Sequence, residues 1–268
     1  MNLNDDHQAT QIFISLTSFG ATNVLEHGQC WFTDIAHEAG ADGVEIRSEL
    51  LIDAEDELPA LAQRIAEFGF DAVYSSAAPL WTEQGTLDEA ALMQGLAYAG
   101  ILGARRLKMS IGHFSAKTHG ADLERLAHIV QASSIQLLIE NDQTESAGTR
   151  VALQLFFAAT DHAGLQLPMT FDVGNWHWTG ECPLQAAATF APRVRYVHCK
   201  GVQRQPHRWI AVPLSESAAP WRTVTHALPV DVPWAIEYPL IGEDLVTVTR
   251  LQIEHLRATA RHQQGALA

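Results

Sequence analysis

The chain has 268 residues, of which 47% are apolar and 18% charged, with a formal net charge of −14. This composition supports a folded core and excludes a disordered chain. The acidic balance, with no run of Lys or Arg, argues against nucleic acid as a partner.

Three well-separated cysteines, Cys30, Cys182 and Cys199, form no C-x-x-C pair and read as reduced thiols of a cytoplasmic protein. The polar start MNLNDDHQATQ carries no signal-peptide pattern, and no apolar run of membrane-spanning length occurs, so no membrane association is expected.

In chain order, QIFISLTS (11–18) is the first predicted strand, followed by a helical pattern at 30–40. DGVEIR (42–47) and DAVYSS (71–76) are the next strands, separated by a helix at 58–69 and followed by one at 87–103. RLKMSI (106–111), IQLLIE (135–140) and PMTFDV (168–173) alternate with helices at 121–134 and 149–164. A helix at 183–191, the strand VRYVHCK (194–200), a helix at 221–228, the strand PWAIEY (233–238) and a helix from about 244 complete the chain. Gly40, Gly69 and Gly164 stand where left-handed helix C-caps are expected.

Strands and helices alternate eight times, at about 33 residues per unit, the size of a βα repeat. The expectation is an α/β fold, a (β/α)8 TIM barrel forming a single domain over 1–268. A doubly wound open sheet would carry a glycine-rich phosphate loop after its first strand. SFGATNVLEHG matches neither such fingerprint.

Four predicted strands end on residues that bind metals: Glu140, Asp172, His198 and Glu237, spaced by 32, 26 and 39 residues. Each interval is near one repeat, so the four fall on the fifth to eighth strands. In a barrel their C-terminal ends share one rim, where active sites of this fold lie. Three carboxylates and an imidazole brought together there call for one divalent cation, Mn²⁺, Mg²⁺, Co²⁺ or Zn²⁺, which would also compensate Glu140.

The segments GADGVEIR, LLIEND, FDVGNW, VRYVHCKG and AIEY resemble the xylose isomerase-like TIM barrel superfamily over nearly the whole chain. That superfamily includes sugar and sugar-phosphate isomerases and epimerases, dehydratases and an apurinic endonuclease branch. The resemblance implies metal ligation by Glu140, Asp172, His198 and Glu237, with Glu140 and Glu237 as the proton-transferring catalytic pair. A base and an acid on opposite faces of a carbon beside a carbonyl, with positive charge at the oxygen, is what such chemistry requires.

The expected partner is a small sugar-like molecule, and a homo-oligomer is left open. Three positions depart from the pattern of many members: Asn175 stands where a His is common, Gly201 follows Lys200 where Asp is common, and Ser146 replaces a second Glu. These departures keep a dehydratase, a lyase on the same site, alongside the isomerase or epimerase. An endonuclease-like activity and a non-catalytic sugar-binding barrel are the further alternatives.

Substrate-binding candidates are Glu45, Lys108, Asn175, Trp176 and Arg204. Glu45 matches an acidic residue common on the family's second strand and reads either as a substrate contact or as half of a buried ion pair. Lys108 either points into the mouth or snorkels. Asn175 can orient a hydroxyl but cannot take a proton. Trp176, in the run Trp176-His177-Trp178, either stacks on a sugar or packs its loop. Arg204, six residues after His198, either holds a substrate oxygen, as in related epimerases, or is a solvated loop residue. Cys199 alternates away from His198 and reads as core packing.

Overall fold

In the computed structural model, residues 9–115 and 120–267 are described. Among them, eight parallel strands close into a barrel: β1 (Ile12–Ser15), β2 (Gly43–Arg47), β3 (Asp71–Ser75), β4 (Arg106–Ser110), β5 (Gln136–Glu140), β6 (Met169–Asp172), β7 (Val194–Cys199) and β10 (Trp234–Ile236). Around the barrel the order is β1-β10-β7-β6-β5-β4-β3-β2, so each strand pairs with its neighbour in the repeat. A two-stranded antiparallel hairpin, β8 (Gly201–Arg204) and β9 (Trp209–Val212), projects after β7. No described helix is long and apolar enough to cross a membrane.

All eight predicted strands are present. The first is shorter than expected, because Leu16–Phe19 turns into a 3-10 helix whose Leu16 and Phe19 remain buried. The apolar run therefore outlasts the strand. The short helix Ala21–His27 and the hairpin β8–β9 add to the predicted elements.

Strand side chains alternate between the barrel interior and the surrounding helices. Outward residues such as Ile12, Ile14, Val44, Leu107, Leu137 and Val197 join the main core under the helices. Inward residues Phe13, Val73, Leu138, Tyr196 and Ala235 form a separate apolar plug. Phe13 fills space that only a glycine leaves open: a Cβ on Gly43 would lie 2.8 Å from its ring.

The period of two then dictates what lies above the plug. Two residues on from Phe13, Leu138, Tyr196 and Ala235 come Ser15, Glu140, His198 and Glu237. The residues that point inward above the plug are the polar ones.

Candidate metal and active site

One ligand atom from each of Glu140, Asp172, His198 and Glu237 lies within 4.8 Å of the others. An ion with metal–ligand distances of about 2.0–2.4 Å can bridge such a group. Nδ1 of His198 faces all three carboxylates: Glu237 Oε2 at 2.9 Å, Glu140 Oε1 at 3.0 Å and Asp172 Oδ2 at 3.8 Å.

The opposite ring nitrogen, Nε2, lies 2.7 Å from Glu45 Oε2. A proton held on Nε2 by Glu45 turns Nδ1 toward the carboxylates, where loss of the Nδ1 proton would offer a metal its lone pair. Asp172 gives its Oδ1 to the backbone N–H groups of Gly174 and Asn175, at 2.7 and 2.8 Å. Its buried Oδ2 has no well-directed hydrogen bond, although Lys200 Nζ lies 2.8 Å away. The donor set, its spacing and the orientation of the imidazole fit a divalent ion.

Two buried lysines and the partly buried Arg47 surround the group. Lys108 Nζ lies 2.7 Å from Glu140 Oε2 and 3.4 Å from Glu45 Oε1. Arg47 reaches Glu45 at 2.9 Å, Glu237 Oε1 at 3.0 Å and Glu49 at 2.7 Å. Lys200 spans Asp172 Oδ2 and Glu237 Oε2, at 2.8 and 2.7 Å. Gly174 lets its stem pass, since a Cβ there would lie 2.9 Å from Lys200 Cγ. Glu140 is thus gripped at one oxygen by Lys108 while its other oxygen faces His198, and Glu237 is held by Arg47 at Oε1 and by Lys200 and His198 at Oε2. The charge of Glu140, assigned from sequence to compensation by a metal, is already balanced by Lys108.

These contacts set the protonation states. Burial opposes charge on His198, but Glu237 and Glu45 outweigh it and hold the imidazole well above its ordinary value. Burial likewise raises Glu45, Glu140 and Glu237, yet His198 and the lysines outweigh it, and all three lie below the usual carboxylate range. Burial pushes Asp172 up against the opposing pull of Lys200. Lys108 and Lys200 remain charged, because their carboxylate partners overcome burial.

The predicted substrate-binding residues divide. Glu45 is fully buried and touches His198, Ser15 and Arg47. Lys108, 1% exposed, is bound to Glu140. Asn175 is a strut: its Nδ2 donates to Asn141 O, and its Oδ1 accepts from Lys200 and Gln143. Trp176 is 0% exposed and packs between Phe171 and Phe190, so its ring serves the core. Arg204 stands exposed at the end of β8 with its guanidinium over Trp209, outside the cluster.

Sequence reasoning left Arg47 and Lys200 without a role. Each lies two residues beyond a residue it did single out, Glu45 and His198, and so on the same inward face. Asn141 was also missed. It bridges β5 to β6, donating to Asp172 O and accepting from Asp172 N.

Above the cluster opens a cavity of about 700 Å³, lined in part by Arg47, Lys200 and Glu237.

No protein-family model matches the chain, and no curated protein matches it in sequence. Solved structures do. An L-ribulose 3-epimerase is 18% identical, with a TM-score of 0.70 over 97% of this chain and 98% of that one. A probable 3-DHS dehydratase from Bacillus anthracis is 14% identical, with a TM-score of 0.68 over 92% and 98%. A xylose isomerase domain protein from Salmonella typhimurium is 17% identical, with a TM-score of 0.62 over 95% and 96%. With its closed barrel and rim cluster, the chain has the fold of the xylose isomerase-like TIM barrels.

Proposed function

We propose that this protein is a metal-dependent isomerase or epimerase of a small sugar, keto-sugar or polyol ketone. One observation carries the reading: three carboxylate oxygens and the Nδ1 of a carboxylate-oriented imidazole converge on one point, and one of those carboxylates, Glu237, lines an open cavity. A divalent ion held by Glu140, Asp172, His198 and Glu237 would supply positive charge to polarise a carbonyl and fix an adjacent hydroxyl.

The chain's own residues do the rest. Glu237 lines the cavity, with Oε1 held by Arg47 and Oε2 beside Lys200 and His198, and takes a proton from the carbon beside the carbonyl. Glu140, on β5, is bound at Oε2 by Lys108; it takes up a proton from water and delivers it to the carbon from a different side, while Glu237 gives its proton back to water. Lys200 and Arg47 place positive charge beside the developing enediolate. Glu45 keeps the Nδ1 side of His198 turned toward the carboxylates.

The similarity to a structure described as an L-ribulose 3-epimerase supports this reaction class. The test is exchange of the substrate's α-hydrogen with deuterated solvent. Exchange should vanish with a chelator and in Glu237→Gln; turnover without any metal requirement would refute the mechanism.

A second reading keeps the site and changes the outcome. The likeness to a probable 3-DHS dehydratase favours loss of a β-hydroxyl from the same enolate. Dehydration creates a conjugated product, so ultraviolet absorbance of the reaction mixture separates the two.

A further inference from the structure

Resting on the keto-polyol reading, we propose that the substrate carries an apolar substituent away from its carbonyl, received by Phe19, Leu240, Ile241 and Leu245. The cavity of about 700 Å³ falls in the range that takes drug-sized molecules, whereas a six-carbon ketose has only about a dozen heavy atoms. Its lining includes neutral polar residues, Thr17, Asn23 and Gln143 among them, and two further groups. Arg47, Lys200 and Glu237 form the charged part, and the four apolar side chains form a wall.

That wall is built. Phe19 follows β1, while Leu240, Ile241 and Leu245 follow β10, and these two strands are paired neighbours. The segments are tied together by Leu240 N donating to Ser18 O at 2.8 Å and by Ser18 Oγ donating to Ile236 O at 2.9 Å. Phe19 and Leu240 are buried, but Ile241 is 81% exposed, only four residues after Glu237. A large aliphatic side chain in water on the lip of a polar site gains free energy when apolar surface covers it. Sugar hydroxyls would gain nothing there.

The test uses Mn²⁺-loaded protein, wild type and Ile241→Ser, in calorimetric titrations. The probes are D-fructose, D-tagatose and D-psicose, each paired with its 6-O-benzyl ether. For at least one ketose the ether should bind about tenfold tighter, and Ile241→Ser should remove most of that advantage. Equal affinities, or an advantage that Ile241→Ser leaves intact, would overturn the assignment while binding of the plain ketoses upheld the keto-polyol reading. Failure of every probe to bind would overturn both. A dimer lost in Ile241→Ser without any change in ligand preference would overturn it too, by giving Ile241 to a contact between copies.

Discussion

Glu45→Gln tests whether the site is organised around a metal or is only a buried ion cluster. Glu45 is 0% exposed, with Oε2 2.7 Å from His198 Nε2. Its Oε1 accepts from Ser15 at 3.1 Å and Arg47 at 2.9 Å, with Lys108 at 3.4 Å. Glutamine keeps the shape but offers one acceptor. If its carbonyl takes the Nε2 proton, its NH2 group faces the Arg47 and Lys108 cations, donors against donors. If it flips, it donates to Nε2 and moves the imidazole proton to Nδ1, where a metal needs the lone pair.

Loss of a carboxylate that orients a metal-binding His costs about 10–100-fold in metal affinity, or about 1.4–2.8 kcal/mol. The metal-free protein should also lose stability, on the order of 3–5 kcal/mol, because the buried Lys108 and the partly buried Arg47 lose a partner. The assay is calorimetric titration with Mn²⁺, supported by the visible spectrum of the Co²⁺ form, after circular dichroism has shown the variant folded. An unchanged Mn²⁺ dissociation constant in a folded Glu45→Gln protein would refute the argument.

Trp176→Ala should destabilise the protein by about 3–5 kcal/mol through the cavity left between Phe171 and Phe190, with metal affinity retained; denaturant unfolding checks the first and calorimetry the second. The pH dependence follows from His198, Glu45 and Glu237. The folded metal-free protein raises His198 above 6.5, so that stabilisation is complete below 6.5 and is lost as pH rises through the raised value. Glu45 and Glu237 are lowered from 4.5, so their stabilisation is present above 4.5 and is lost as pH falls through the lowered values. Metal binding at neutral pH should therefore release about one proton from His198, measurable by calorimetry in buffers of different ionisation enthalpy; an enthalpy independent of buffer would refute the imidazolium assignment.

The barrel was legible because each strand couples a short apolar run to a nearly constant repeat length. The ends were less so. Leu16 and Phe19 are buried whether the backbone is a strand or a 3-10 turn, so hydrophobicity alone could not stop β1 at Ser15. The β8–β9 hairpin escaped notice because GVQRQPHRW is polar, contains Pro206 and pairs only with the segment that follows it.

Of the site, the carboxylates and His198 were legible from their places at strand ends. Their counter-charges were not. Arg47 meets Glu237 across 190 residues of sequence, through a closure of the barrel that only the fold creates. Trp176 sits in a loop beside Asp172, but the chain turns its ring back into the core, a direction no loop sequence specifies.

The cluster's charges explain how four buried carboxylates are tolerated on one barrel. Glu45, Glu140, Asp172 and Glu237 are matched by Arg47, Lys108, Lys200 and the His198 imidazolium, four against four. Burial of an unmatched carboxylate would be prohibitive, so this matching lets the rim form during folding on the chain's own charges. Exchange of the His198 proton for a divalent ion would make the cluster one unit more positive. That is the sign an enediolate needs, in a place where low dielectric makes it count. The same cations that allow the carboxylates to be buried thus set the charge with which the site would meet its substrate.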